Sequence, residues 1–113
     1  MKDKEGIIQA IYTIVKLIPY GRATSYGAIA KAIGYPNMSR MVGRIMGESS
    51  SADIPAYRVV NSQGILSAKA AFGNNDEMQK RLEEEGIVIR NDRICNWRTV
   101  FWNPIEEIRI EDL

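Results

Sequence analysis

Apolar residues recur three and four positions apart through the first 46 residues, then give way to short β-rich runs. Ile7, Ile8, Ile11, Val15 and Ile18 fall on one helical face, so residues 5–18 are predicted to form an amphipathic helix that ends at Pro19. Pro19-Tyr20-Gly21 reads as a turn. Thr24 or Ser25 can cap a second helix through Ile33, with Ala28, Ile29, Ala32 and Ile33 as its apolar face and Gly34 as its stop. After Tyr35-Pro36-Asn37, either Asn37 or Ser39 caps a third helix whose core face is Met38, Met41, Val42, Ile45 and Met46.

The pattern changes beyond the polar loop ESSSAD (48–53). Tyr57-Arg58-Val59-Val60 is β-rich, Asn61-Ser62-Gln63-Gly64 is a turn, and Ile65-Leu66-Ser67 can return as a short strand. Asn74 or Asn75 then caps a helix through Glu85, with Met78 and Leu82 as its buried stripe and Gly86 as terminator. Ile87-Val88-Ile89 and Arg93-Ile94-Cys95 flank a turn at Asn91-Asp92 and predict a hairpin, while Trp97, Phe101 and Trp102 dock the chain end on the core. The pattern predicts one mainly α domain with small β elements over residues 1–104, followed by a tail over 105–113.

Two short helices joined by a Gly-containing turn fit a helix-turn-helix, or equally a small helical bundle with solvated arginines. On the third helix Arg40 and Arg44 are four apart and are expected to share a face. Charge tilts towards the first of the two: residues 1–75 hold nine Lys/Arg against four Asp/Glu, and residues 76–113 hold six against ten. A basic front half suits phosphate contacts, although ordinary surface variation would look the same.

Composition removes much chemistry. There is no histidine and one cysteine, Cys95, which excludes Ser-His and Cys-His catalysis, His-based zinc sites and an internal disulfide. No apolar run reaches the roughly 18 residues a membrane span needs, and MKDKEG leads into no signal-type core, so a cytoplasmic protein is expected. The stretch IPAYRVVNSQG (54–64) displays Ala56 between a proline and a strand, where a nucleophile would be well presented. Alanine has no lone pair and no proton to give.

These segments together resemble the DNA-binding domain of the O6-alkylguanine-DNA alkyltransferases, from about Ile7 to Pro104. Three motifs carry the likeness in the same order: Pro19–Gly34, the Ser39-Arg40-Met41-Val42-Gly43 step and Pro55-Ala56-Tyr57-Arg58-Val59-Val60. That family's Pro-Cys-His-Arg-Val run holds the cysteine that accepts an alkyl group; here Ala56 stands at the cysteine and Tyr57 at the histidine. The chain is similar still more to the alkyltransferase-like subgroup, as Asn61-Ser62-Gln63-Gly64, Leu82–Gly86 and Trp102-Asn103-Pro104 indicate. Members of that subgroup often carry tryptophan for the cysteine and keep the histidine, so this pocket departs from them.

The resemblance implies a winged-helix or helix-turn-helix fold and a monomeric, cofactor-free protein that is no enzyme. It implies binding of double-stranded DNA containing O6-alkylguanine, extrusion of the base through the minor groove, and marking of the site for nucleotide excision repair proteins. In a bacterium such a protein would be nucleoid-associated. The implied DNA-binding residues are Tyr26, Ser39, Arg40, Met41, Gly43 and Arg44; the implied lesion pocket is Pro55, Ala56, Tyr57, Arg58, Val59 and Ser67. Arg40 matches the arginine that replaces the extruded base, and a planar guanidinium can both stack and hydrogen-bond. Tyr26 matches the tyrosine that crowds the 3′ phosphate; a buried helix-start aromatic is its plainer role. Arg58 either supports the pocket wall, contacts the lesion or makes a structural pair, and Ser49 falls near a hinge asparagine. Glu85 matches the glutamate that orients the missing histidine; otherwise it is a helix-end surface residue. A floor of alanine leaves room for adducts larger than methyl. Two other readings stay open: a residual alkyltransferase using Cys95, and a winged-helix module without lesion recognition.

Overall fold

Helix α1 spans Lys4–Leu17 and buries Ile11 and Val15 of the predicted stripe together with Ile14, while Ile7 and Ile8 are half-buried. In this computed structural model residues 4–48, 53–66 and 77–108 are described. Ser49, Ser67 and the two candidate caps Asn74 and Asn75 lie outside them, as does most of the 48–53 loop. No helix among the described residues is long and apolar enough to cross a membrane.

The chain turns at Pro19–Arg22 and enters β1 (Thr24–Ser25), which runs directly into α2 (Tyr26–Ala32). Ser25 is the cap: its backbone is extended and its hydroxyl accepts from the Ala28 amide at 3.1 Å. Such a cap contributes about 1 kcal/mol and fixes where the helix begins. Helix α3 (Ser39–Gly47) follows and buries Val42, Ile45 and Met46. Neither Asn37 nor Ser39 caps it: Met38 occupies that position and offers no side-chain hydrogen bond. The turn already serves the end of this helix, since the Met38 amide donates to the Tyr35 carbonyl and the Val42 amide to that of Met38. Helices α2 and α3 pack against each other as a helix-turn-helix.

Residues Ala56–Arg58 form one 3-10 turn rather than strand, and only Val59–Val60 are extended, as β2. β2 pairs with β1 in parallel, Thr24 opposite Val59 and Ser25 opposite Val60. Successive strand side chains point to opposite faces. Val59 accordingly joins the core of α1, α2 and α3, while Val60 joins a second core with Leu66, Met78, Leu82 and Ile94. Each buried valine contributes about 1.5–3 kcal/mol, so this two-residue seam binds both cores to the helix-turn-helix.

Helix α4 (Glu77–Glu84) supplies Met78 and Leu82 to the second core. The predicted hairpin is β3 (Ile89–Arg90) against β4 (Arg93–Ile94), antiparallel. Its two-residue turn has Asn91 and Asp92 at φ of 52° and 63°, the left-handed values a tight hairpin turn requires. The chain ends in two single-turn helices, α5 (Trp97–Val100) and α6 (Pro104–Glu107). Trp102 is buried at 3%, whereas Trp97 and Phe101 are only half-buried, so just one of the three aromatics belongs wholly to the core. Arg22 holds this segment: its guanidinium donates to the carbonyls of Val100 and Phe101 and pairs with Glu107 at 3.2 Å.

Candidate nucleic-acid interface

Capping by Ser25 puts Tyr26 at the first position of α2, and pairing of Ser25 with Val60 ties that position to the strand after Ala56. Gly43 of α3 lies against the Tyr26 ring; a Cβ there would sit 3.8 Å from it. Arg40, in the first turn of α3, is exposed and makes no ion pair among the described residues.

Tyr26, Ser39, Arg40 and Gly43 line one open cleft of about 870 Å³. Lys31 of α2 lines it too, and the opposite side is formed by Asn61, Ser62, Trp97, Phe101 and Asn103. Two cations and several amide or hydroxyl groups face this space, and no carboxylate is among the described residues lining it. Met41 and Arg44 are placed elsewhere: they line a separate groove with Lys4, Ile7, Tyr35 and Glu48. Arg40 and Arg44 thus line different spaces. Arg44 is rotated about 40° from Arg40 around the helix towards Met41, while Gly43 lies about 60° to the other side, against Tyr26.

The motif around the vacant nucleophile position has its own geometry. Ala56 is 4% exposed and packs in the first core beside Val59. Tyr57 and Arg58 turn towards Glu85. The Tyr57 hydroxyl donates to Glu85 Oε2 at 2.6 Å, and Arg58 Nη2 to the same oxygen at 2.7 Å. Arg58 Nε reaches both carboxylate oxygens, its Nη1 donates to the Ile18 carbonyl, and the Gly21 amide donates to Glu85 Oε1 at 2.8 Å. The Arg58 guanidinium also lies over the Tyr57 and Tyr20 rings, 5.3 and 5.9 Å from their centroids. Arg58 thus makes the structural pairing that was one of its three sequence-based possibilities. Glu85 is no surface residue: its side chain is 3% exposed.

Burial by itself would raise the Glu85 pKa, but hydrogen bonds from Arg58, Tyr57 and Gly21, with the Arg58 charge, bring it below its ordinary value. Burial raises the Tyr57 pKa, and the Glu85 hydrogen bond and charge raise it further against Arg58 and Arg81. A phenol in this state is a hydrogen-bond donor and no base. Cys95 follows the β3–β4 hairpin, half-buried, and lines none of these spaces.

Sequence reading did not single out Lys31, Trp97 or Phe101 as cleft residues. The spacing of Trp97 and Phe101, four apart, is the signal that could have found them.

Residues 7–87 match the family model described as 6-O-methylguanine DNA methyltransferase, DNA binding domain. The chain is 38% identical over 99 residues to alkyltransferase-like protein 1 of Schizosaccharomyces pombe, covering 83% of this chain and 92% of that one. It is 36% identical over 95 residues to a DNA base-flipping protein of Vibrio parahaemolyticus, covering 83% and 93%. It also superimposes with a TM-score of 0.81 on S. pombe Atl1 in a crystal structure with damaged DNA containing O6-carboxymethylguanine. That match covers 89% of this chain and 98% of the other at 30% identity.

Proposed function

The chain belongs to the 6-O-methylguanine DNA methyltransferase DNA-binding-domain family, and from this we propose that it is a non-enzymatic reader of O6-alkylguanine in double-stranded DNA. The observation that carries the reading is the cleft beside Tyr26 and Arg40, lined by two cations and, among its described residues, no carboxylate. A phosphate-rich ligand gains from both features, since each cation offsets phosphate charge and no anion repels it. Relatives named for base flipping and for alkyltransferase likeness support the same assignment.

In this mechanism α3 approaches the minor groove and the exposed Arg40 enters the base stack as the lesion leaves it. Extruding a base costs a few kcal/mol, and less where pairing is already damaged. O6-alkylation removes the guanine N1 proton and weakens pairing, so lesions leave the duplex more readily than intact guanine. Tyr26, fixed at the start of α2, crowds the backbone and favours rotation of the nucleotide. The extruded base is held near Ala56, where no thiolate exists to attack it and Tyr57 is committed to Glu85. The complex therefore persists, and the distorted site is the mark that nucleotide excision repair proteins read. Adducts larger than methyl are accommodated because alanine leaves more room at the vacant position than cysteine or tryptophan would.

Titration against duplexes with and without O6-methylguanine, at fixed salt, tests the reading. Tighter binding of the lesion with no radiolabelled methyl on the protein is expected. Equal affinity for both duplexes, or label on the protein that disappears in Cys95→Ser, would overturn it.

A further inference from the structure

The wall of the cleft opposite α2 and α3 lies largely outside the family match, which ends at residue 87. We propose that Trp97 and Phe101 form a second nucleotide-binding wall, against which one nucleotide of the bound strand packs while Lys31, across the cleft, takes a phosphate of that strand. The assignment rests on the DNA-binding reading above and adds to it a contact surface that the helix-turn-helix motifs do not contain.

The two rings lie 5.3 Å apart at 49°, so they present a faceted apolar surface rather than a single face. Both stay half-buried: Trp97 packs partly against the second core, and Trp102 is the aromatic of this segment that is fully buried, in the first. Their placement does not depend on a ligand. Trp97 Nε1 donates to the Ser62 carbonyl at 3.2 Å, and its ring is pressed against Gly64, where a Cβ would come within 2.9 Å. Phe101 is held by its amide on the Trp97 carbonyl and by the Arg22 guanidinium on its own carbonyl at 2.6 Å. A rigid aromatic surface suits a nucleotide because every base has a π-face and every deoxyribose an apolar one, so the contact adds affinity without reading sequence. Lys31 is exposed and makes no ion pair among the described residues, which leaves its ammonium available to a phosphate. The alternatives in the molecule are weaker. The groove of Met38, Met41 and Ile7 carries charges of both signs on Lys4, Arg44 and Glu48 and nothing to indicate its occupant, and in the space beside Tyr57 the Glu85 carboxylate is already paired with Arg58.

Tryptophan emission and salt dependence together test the proposal. The protein has two tryptophans, and Trp102 is buried, so Trp97 should report the ligand. Addition of unmodified or O6-methylguanine duplex is expected to change the emission of the parent protein, and Trp97→Phe should abolish that change. Lys31→Ala, an exposed position whose melting temperature should match the parent, is expected to weaken both duplexes alike and to lower the slope of log affinity against log salt by about 1. A bound duplex that leaves parent emission unchanged, an equal change in Trp97→Phe, or an unaltered slope in Lys31→Ala would each overturn the proposal while leaving DNA binding intact. A parent that binds neither duplex would overturn the DNA-binding reading and this one with it.

Discussion

Tyr57 donates its phenolic proton to Glu85 Oε2 at 2.6 Å, across 28 residues of chain. Tyr57 stands at the position where the resemblance puts a histidine, and Glu85 where it puts that histidine's partner. The resemblance implies an imidazole there that could take a proton from a thiol, whereas this phenol, its pKa raised by burial and by Glu85, donates to the carboxylate. Arg58 closes the arrangement from the other side, so these side chains form a structural knot joining the Ala56 turn to the end of α4.

Breaking the knot should cost most where it leaves a charge alone. Arg58 is 13% exposed and Glu85 3%, so Glu85→Ala strands a nearly buried guanidinium and is expected to lose about 3–5 kcal/mol. Tyr57→Phe removes one hydrogen bond to a charged acceptor that keeps its other donors, at about 1.5–3 kcal/mol. Urea unfolding of both variants checks the order. A Glu85→Ala cost no larger than that of Tyr57→Phe would mean the ion pair is not what holds this region.

The same groups set a pH dependence. Glu85 titrates below its ordinary 4.5 in the folded protein, so its stabilisation is complete above that value and is lost as pH falls through the lower folded pKa. Tyr57 is shifted above its ordinary 10.0, so its contribution is complete below that value and is lost as pH rises through the raised one. Stability should therefore be level between these limits as far as this pair is concerned. Glu85→Gln should show a shallower acid limb than the parent in unfolding free energy measured from pH 6 to 3; parallel limbs would assign the acid sensitivity to other carboxylates.

Restoring a thiol alone is not expected to restore alkyl transfer. In Ala56→Cys the neighbouring Tyr57 still offers a donor to Glu85 and no base. Incubated with duplex bearing radiolabelled O6-methylguanine, Ala56→Cys should stay unlabelled at neutral pH, while Ala56→Cys with Tyr57→His should acquire label. Rapid labelling of the single variant would show that Tyr57 is no obstacle.

The helices were legible in the chain because Ile11 and Val15, and later Met78 and Leu82, repeat at helical spacing and are buried where that spacing puts them, with Ile7 half-buried one turn before Ile11. The hairpin was legible for a different reason: Asn91 and Asp92 tolerate the left-handed backbone that its turn demands. The parallel seam between Thr24–Ser25 and Val59–Val60 was not, since two-residue strands 35 positions apart carry no periodicity that would pair them. The Tyr57-Arg58 half of the β-rich run misled for a local reason. Both side chains reach one carboxylate, and a 3-10 turn presents them to it where an extended strand would send them to opposite faces. At the candidate site Tyr26 and Arg40 were named in advance, while Lys31 was hidden because a single surface lysine on a helix carries no pattern.

Arg40 separates lesion reading from general DNA binding. It is exposed at the start of α3, so Arg40→Ala should leave the melting temperature within a degree or two of the parent's. If it replaces the extruded base, the variant should lose most of the preference for O6-methylguanine duplex while keeping weak binding to both. Competition titration at one salt concentration reads this directly. An unchanged lesion preference in Arg40→Ala would remove the flipping mechanism.

Gly64 is where the turn after β2 and the aromatic wall depend on each other. Its φ is +78°, a region L side chains rarely adopt, and it is buried. An added Cβ would meet Trp97 at 2.9, 3.1 and 3.2 Å, on ring carbons rather than on a flexible side-chain end. Gly64→Ala therefore combines backbone strain of about 1–3 kcal/mol with displacement of the indole from the Ser62 carbonyl it now donates to. The variant should unfold at lower urea than the parent, and its tryptophan emission should shift red before any unfolding as Trp97 gains water. Trp97→Gly in the same chain opens the space but leaves the positive φ, so it should recover only the steric part of the loss. Were Gly64→Ala as stable as the parent, with unchanged emission, the indole would not be braced by this turn and the wall it forms would have to be held from the α5 side alone.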